Sequence, residues 1–216
     1  MPAPRPACGT GLGYWLLRQM ILSPEQSGQT EIGLQPFQDH FHFFLLILLL
    51  LHHSPVNFRE KIVSWDDLPK WRDELRKSGR KLVVTNGCFD LLHAGHVSYL
   101  ENARKLGDVL LIGLNGDGGV RKLKGEGRPI NNEQDRAVVL AALESVGGVC
   151  IFAEPVATRF LAHAQPDIYV KGGDYTLDTL NQDERQTVEK AGGKIVIIPF
   201  VPGKSTTATL AKIATL

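Results

Sequence analysis

Residues 81–107 read KLVVTNGCFDLLHAGHVSYLENARKLG. Lys81 to Thr85 is short, apolar and β-branched, which predicts a buried strand. The turn NGCFD follows, and an amphipathic segment from about Ala94 to Leu106, closed by Gly107, predicts a helix. Strand, loop and helix in that order are the opening of a parallel unit, and the flanking sequence repeats it. Trp65 to Lys77, with Ser64 placed to cap it and Leu68, Trp71 and Leu75 at helical spacing, predicts a leading helix. Beyond Gly107, strands are expected over Val109 to Leu114, Gly148 to Phe152, Asp167 to Val170 and Lys194 to Pro199. Helices are expected over Asn132 to Leu143, Pro155 to Ala164 and Gln182 to Ala191, with a last one starting at Ser205 or Thr206. The connections are too long for hairpins, so the pattern predicts an α/β fold: a Rossmann-like, doubly wound parallel sheet of about five strands in a single domain. In such folds ligands bind beyond the carboxyl ends of the strands, which directs attention to the loops after Thr85, Leu114, Val170 and Pro199.

The chain has 216 residues, enough for one domain of about 150 residues and an extension. Residues 1–55 carry scattered proline and glycine without a sustained period, and a charged, well-patterned sequence begins at Asn57. This division predicts an atypical N-terminal extension, non-native or disordered, with the natural start near Val56 and the functional domain in residues 56–216. Phe41 to Leu51, FHFFLLILLLL, is apolar over 11 residues, too short for a bilayer, which needs about 20. It also lacks the basic flank and small-residue cleavage site of a signal peptide. A membrane-associated enzyme would rest on this run alone, and no membrane partner is expected. Lys and Arg total 24 against 23 Asp and Glu, a net charge of +1, which gives no global basic field and excludes a nucleic-acid binder of the usual kind. Cys8, Cys88 and Cys150 are odd in number and widely spaced. They form neither a disulfide framework nor a metal pattern, so a reducing, cytoplasmic location is expected.

His93 and His96 fall three residues apart, on one side of the first helical turn after the leading strand. Free N–H groups and the positive end of the helix dipole already favour an anion there, and phosphate is the natural guest. Gly95 leaves room for a ligand against the backbone, and Gly87 serves the turn out of the strand. Zinc is the competing occupant, but the helical zinc motif uses a spacing of four with a glutamate, and no protein metal site is expected. The sequence GKST at residues 203–206 is not a P-loop, since position 198 holds Ile198 in place of the first glycine. Ile130 likewise breaks a dinucleotide fingerprint after Gly125 and Gly127.

The segment GCFDLLHAGH resembles the HxGH signature of the nucleotidyltransferase superfamily that includes the cytidylyltransferases and pantetheine-phosphate adenylyltransferase. The likeness covers residues 59–216 and extends to RKLKG, NNEQDR, KGGDY and GKSTT. Taken together these motifs are most similar to the adenylyltransferase domain of bacterial ADP-heptose synthesis enzymes. That resemblance implies AMP transfer from ATP, with Mg²⁺, to a sugar phosphate, heptose 1-phosphate above all, by a homodimer and in a form without the usual sugar-kinase partner. It implies catalytic roles for His93, His96 and Lys124. It implies nucleotide contacts for Asn86, Gly87, Cys88, Phe89, Asp90, Gly95, Lys122, Arg136, Lys171, Gly172, Gly173, Asp174, Tyr175, Lys204, Ser205, Thr206 and Thr207. Lys204 departs from the family pattern, where that position is often apolar or small.

Several of these residues have ordinary readings too. Ser205 and Thr206 suit a helix N-cap, Arg136 a surface ion pair, and Lys122 and Lys124 either a solvated face or a mobile segment closing over phosphates. A glycerol-3-phosphate-type cytidylyltransferase is the alternative within the same chemistry. A non-catalytic nucleotide-binding module is the alternative outside it.

Overall fold

A computed structural model describes residues 57–173, 175–199, 203 and 205–215. The expected extension at 1–55, and the site candidates Asp174 and Lys204, lie outside the described residues. After a short 3-10 turn at Phe58–Lys61 the elements run α1 (Leu68–Lys77), β1 (Leu82–Gly87), α2 (Ala94–Arg104), β2 (Val109–Asn115), α3 (Asp117–Lys124), α4 (Glu133–Ala141), β3 (Gly148–Phe152), α5 (Thr158–Ala164), β4 (Ile168–Gly172), α6 (Gln182–Lys190), β5 (Lys194–Ile198) and α7 (Thr206–Ile213). The five strands form one parallel sheet in the order β3-β2-β1-β4-β5. The doubly wound α/β expectation holds.

Alternation along the strands explains the three layers. Leu82, Val84, Val109 and Leu111 face one side, where they pack with Leu68 and Leu75 of α1, Phe160 and Leu161 of α5, and Val188 of α6. Val83, Leu110, Ile112 and Leu114 face the other, against Tyr99 and Leu100 of α2 and Leu140 of α4. Both faces of the central strands are therefore covered, which is why β2 reads VLLIGLN with no polar residue before its end. Gly113 is required by packing: a Cβ there would lie 2.4 Å from Cε1 of the buried Phe160.

The leading helix begins later than its pattern suggests. Ser64 caps a preliminary turn, its Oγ accepting from Asp67 N–H at 3.1 Å, and regular helix starts at Leu68. The other difference is α3: the Lys-rich stretch, one of whose readings was a mobile segment, is a helix ending in Arg121, Lys122 and Lys124.

The chain winds outward from β1 through β2 to β3, then returns to place β4 on the other side of β1. That reversal is the switch point. β1 and β4 pair only at Val83 with Ile168 and Val84 with Tyr169, although β1 continues to Gly87 and β4 to Gly172. Beyond Tyr169 the two strands part, and a crevice opens at their carboxyl ends. Tyr99 fills its floor, its hydroxyl donating to Val170 O at 3.2 Å and lying 2.7 Å from Thr85 Oγ1. Burial pushes the Tyr99 phenol well up, so it stays a donor.

Gly113→Ala is expected to lose about 1–3 kcal/mol of unfolding free energy through overpacking. In the Phe160→Leu background the same substitution should cost less. Chemical denaturation of the four proteins measures both, and equal costs in the two backgrounds would contradict this account of the close approach.

Candidate active site

The loop after β1 runs from Cys88 to Leu92 and delivers His93 as the N-cap of α2 with extended backbone, φ −142° and ψ 168°. His96 follows one turn in, its N–H bonded to His93 O at 2.9 Å. The two imidazoles stack with centroids 3.9 Å apart and 20° between planes. Phe89 leans on His96 at 5.5 Å from a left-handed backbone, φ 42°, a conformation uncommon outside glycine and concentrated at functional sites.

Burial sets the protonation of His96. Burial, then the neighbouring His93, then the charge of Lys124 push its pKa down to about 4. At neutral pH the ring is uncharged, and its Nδ1 accepts from the His93 N–H at 3.4 Å. The ring proton is therefore on Nε2, available to an incoming anion. Nδ1 of His93 is buried without a partner among the described residues. Together with the helix dipole, the Nε2–H of His96 makes the start of α2 a donor surface.

Lys122 and Lys124 are exposed on the last turn of α3, and Lys124 is near enough to act on both His96 and Cys88. Burial raises the Cys88 thiol, against the lowering pull of Lys124 and Arg136, and marks it as an un-ionised wall of the turn.

Arg136 and Asp90 are committed to holding the loop. Arg136 is 2% exposed. Its Nε donates to Asn131 O at 2.9 Å, Nη1 to Asn115 O at 3.0 Å and to Cys88 O, and Nη2 to Asp117 Oδ1 at 2.7 Å. One guanidinium thus ties the phosphate-type turn to the end of β2 and the first turn of α3. Asp90, also buried, accepts from Ile130 N at 2.7 Å, from Asn131 N at 3.3 Å and from Arg128 Nε. The surface-pair reading of Arg136 does not hold. A hollow of about 350 Å³ lies behind this loop, lined by residues that include Phe89, Asp90, Arg136 and Val139. Neither histidine lines it.

Across the crevice, Lys171 and Gly172 end β4, and Gly173, with φ 123°, bonds to Ile198 O at 3.0 Å. Asn86 Oδ1 accepts from Lys171 Nζ at 2.9 Å and lies 2.7 Å from the Tyr169 hydroxyl. Thr206 at the start of α7 donates from Oγ1 to Leu91 O at 3.2 Å, which brings the Ser205–Thr207 turn against the loop carrying the histidines. Tyr175 and Thr207 are exposed, and Gly87 and Gly95 lie in the end of β1 and the first turn of α2. The sequence reading missed Tyr169, Glu184, Asp117 and Asn131. Asp117 had a signal, because Asn-Gly-Asp after an apolar strand marks a helix start. Glu184 stands three residues after Asn181, a capping-box spacing that predicts the helix end but not the burial. Among the described residues no three His, Cys, Asp or Glu side chains group as a metal site.

A family model described as cytidylyltransferase-like matches residues 84–211. The bifunctional protein HldE of Aliarcobacter butzleri is 47% identical over 164 residues, 76% of this chain and 33% of that protein. HldE of Wolinella succinogenes is 45% identical over 211 residues, 96% of this chain and 42% of that protein. The chain thus spans about a third to two fifths of the length of these relatives. A solved structure, described as the lipopolysaccharide core biosynthesis protein from Thermoplasma volcanium GSS1, is 28% identical and covers 57% of this chain and 98% of that one, with a TM-score of 0.48. The family match extends from the middle of β1 into α7 and takes in both histidines and the Ser205–Thr207 turn, and on it the chain belongs to the cytidylyltransferase-like family.

Proposed function

We propose that residues 56–216 form a nucleotidyltransferase domain that transfers AMP from MgATP to heptose 1-phosphate, releasing pyrophosphate and ADP-heptose. The observation carrying this reading is the stacked imidazole pair at the positive end of α2, with His96 uncharged and Lys124 beside it. It is an arrangement for receiving phosphates without a protein nucleophile or base. The choice of adenine and of a heptose rests on the resemblance of TNGCFD, LKG, KGGDY and GKSTT to ADP-heptose-forming adenylyltransferases, and HldE proteins are among the relatives. Residues 1–55 are an extension outside this activity, and the working unit is a cytoplasmic homodimer. Among the described residues no helix is long and apolar enough to cross a membrane.

In the reaction an oxygen of the sugar phosphate attacks the α-phosphorus of ATP in line. A P–O bond forms to the sugar phosphate, the bond between the α-phosphorus and the bridging oxygen breaks, and pyrophosphate leaves with that electron pair. The acceptor's second pKa is about 6, so it is largely ionised at neutral pH and no general base is needed. Rate comes from positioning and from charge stabilisation. His96 donates from Nε2 to a phosphate oxygen on which charge grows. His93 shares the anion, and Lys124, with Lys122 and Lys204, neutralises the triphosphate. The Ser205–Thr207 turn supplies hydroxyl and N–H donors at a helix start. Arg136 and Asp90 keep the loop in register and act on the ligand indirectly.

His96→Ala is expected to lower kcat/KM for pyrophosphate release from ATP and heptose 1-phosphate by about 100 to 1,000-fold with the fold intact. A loss of tenfold or less would contradict the role. The lowered pKa of His96 has a signed consequence. The native state favours the neutral ring, so this contribution to stability is complete above the ordinary value of 6.5 and is lost as pH falls toward about 4. NMR titration of the ligand-free protein should place the His96 midpoint near 4, and His93→Ala should raise it. A midpoint near 6.5 would contradict the stacked, desolvated pair.

A further inference from the structure

We infer that Glu184 is a positioning residue for the nucleotide, acting through Lys171 to fix the amide of Asn86 with its nitrogen presented to the bound ligand. The inference rests on the nucleotidyltransferase reading above.

The site of action is the opening between β1 and β4. Glu184 stands in the first turn of α6 and is 4% exposed. Its Oε1 accepts from Ala157 N–H at 2.8 Å, at the start of α5, so the carboxylate cannot turn away. Its Oε2 lies 2.8 Å from the Tyr169 hydroxyl and 3.1 Å from Lys171 Nζ. The Lys171 side chain is 17% exposed, which makes this a largely desolvated pair with one geometry, unlike the solvated pairs on the helix surfaces.

Counting hydrogens fixes the amide. Lys171 has donors only, so the Asn86 atom 2.9 Å from its Nζ is the oxygen. Tyr169 has one hydroxyl hydrogen and donates to one of its two neighbours at a time, whereas the ammonium serves both Asn86 and Glu184 together. Asn86 Nδ2 then has no partner among the described residues, although the residue is half-buried in the mouth of the crevice. An unpaired donor pair there calls for an acceptor atom on the ligand, and the nucleotide, rich in phosphoryl oxygens and ring nitrogens, supplies it. A role confined to fastening α6 to the sheet would be met by the contacts to Ala157 and Tyr169. The reach of Lys171 to Asn86 goes beyond that. It also means that the Lys171 ammonium is held by two acceptors and lies 5.4 Å over the Tyr169 ring, so it orients the site and is not a roaming counter-charge for phosphate.

The experiment is steady-state kinetics and calorimetric ATP binding on the full chain, with Glu184→Gln, Asn86→Ala and the double variant beside the unmodified protein. Glu184→Gln should raise KM and Kd for ATP by about tenfold, the worth of one hydrogen bond of this kind, and leave KM for the sugar phosphate unchanged. Asn86→Ala should do the same, and the double variant should bind ATP no more weakly than Asn86→Ala alone. If Glu184→Gln does not fold, Lys171→Met carries the same expectation, because it leaves the bonds of Glu184 to Ala157 and Tyr169 in place. A folded variant with unchanged ATP affinity, a lowered melting temperature without a change in KM, or effects that multiply in the double variant would overturn the inference. Failure of the unmodified protein to bind ATP overturns the nucleotidyltransferase reading itself, and is seen before any variant is compared.

Discussion

The parting of β1 from β4 is the constraint on which the rest of the molecule depends. A sheet wound outward in one direction from β1 and then in the other must leave the carboxyl ends of its two innermost strands without a common connection. Here the ladder stops at Val84 and Tyr169. Every polar group exposed by that opening needs a partner. The hydroxyl of Tyr99 takes the carbonyl of Val170, and the ring of Asn86, Tyr169, Lys171 and Glu184 lines one wall. The histidine turn forms the other side, at the start of the helix that β1 feeds. Backbone topology creates the cleft, and a small number of buried polar side chains keep it open and shaped.

Charge at the site divides into two kinds. Arg136, Asp90 and Glu184 are buried, Lys171 is half-buried, and all are paired, so their energy goes into geometry: removing one partner would strand the other in a medium that solvates it poorly. Lys122 and Lys124 are exposed at the end of α3, where they can meet a ligand. Arg136 links the two kinds. Through Cys88 O and Asp117 it fixes the helix bearing Lys124 to the loop bearing the histidines, so the lysine charge meets the turn from a set direction. An uncharged His96 beside Lys124 is suited to a triphosphate, since the lysine supplies positive charge and the magnesium ion accompanying the nucleotide would offset part of the ligand's own negative charge.

The layered fold was legible because strands buried on both faces must be apolar throughout, and VLLIGLN and KLVVT allow no other reading. The phosphate-type turn was legible for a similar reason: two histidines one helical turn apart after a buried strand have few structural uses. Residues whose role depends on distant partners were not. Arg136 read as a nucleotide contact or a surface ion pair, and its loop-holding role was hidden because its acceptors, Cys88 O and Asn115 O, lie 48 and 21 residues away. Glu184 carried a capping signal that hid its burial, since only the tertiary structure brings Ala157, Tyr169 and Lys171 to it. The helix α3 escaped notice because two of its eight residues are glycine, which weakens the local helical signal, and because its first N–H is capped from a distance, by Glu133 Oε2 accepting from Asp117 N–H at 2.7 Å.

The central claim is that this crevice joins an adenosine nucleotide to a sugar phosphate. The most direct measurement offers the protein heptose 1-phosphate with equimolar ATP and CTP and magnesium, and identifies the nucleotide sugar formed by mass spectrometry. The account predicts ADP-heptose with pyrophosphate in equal amount. CDP-heptose as the main product would contradict the adenylyl assignment, and the absence of any nucleotide sugar would contradict the proposed reaction.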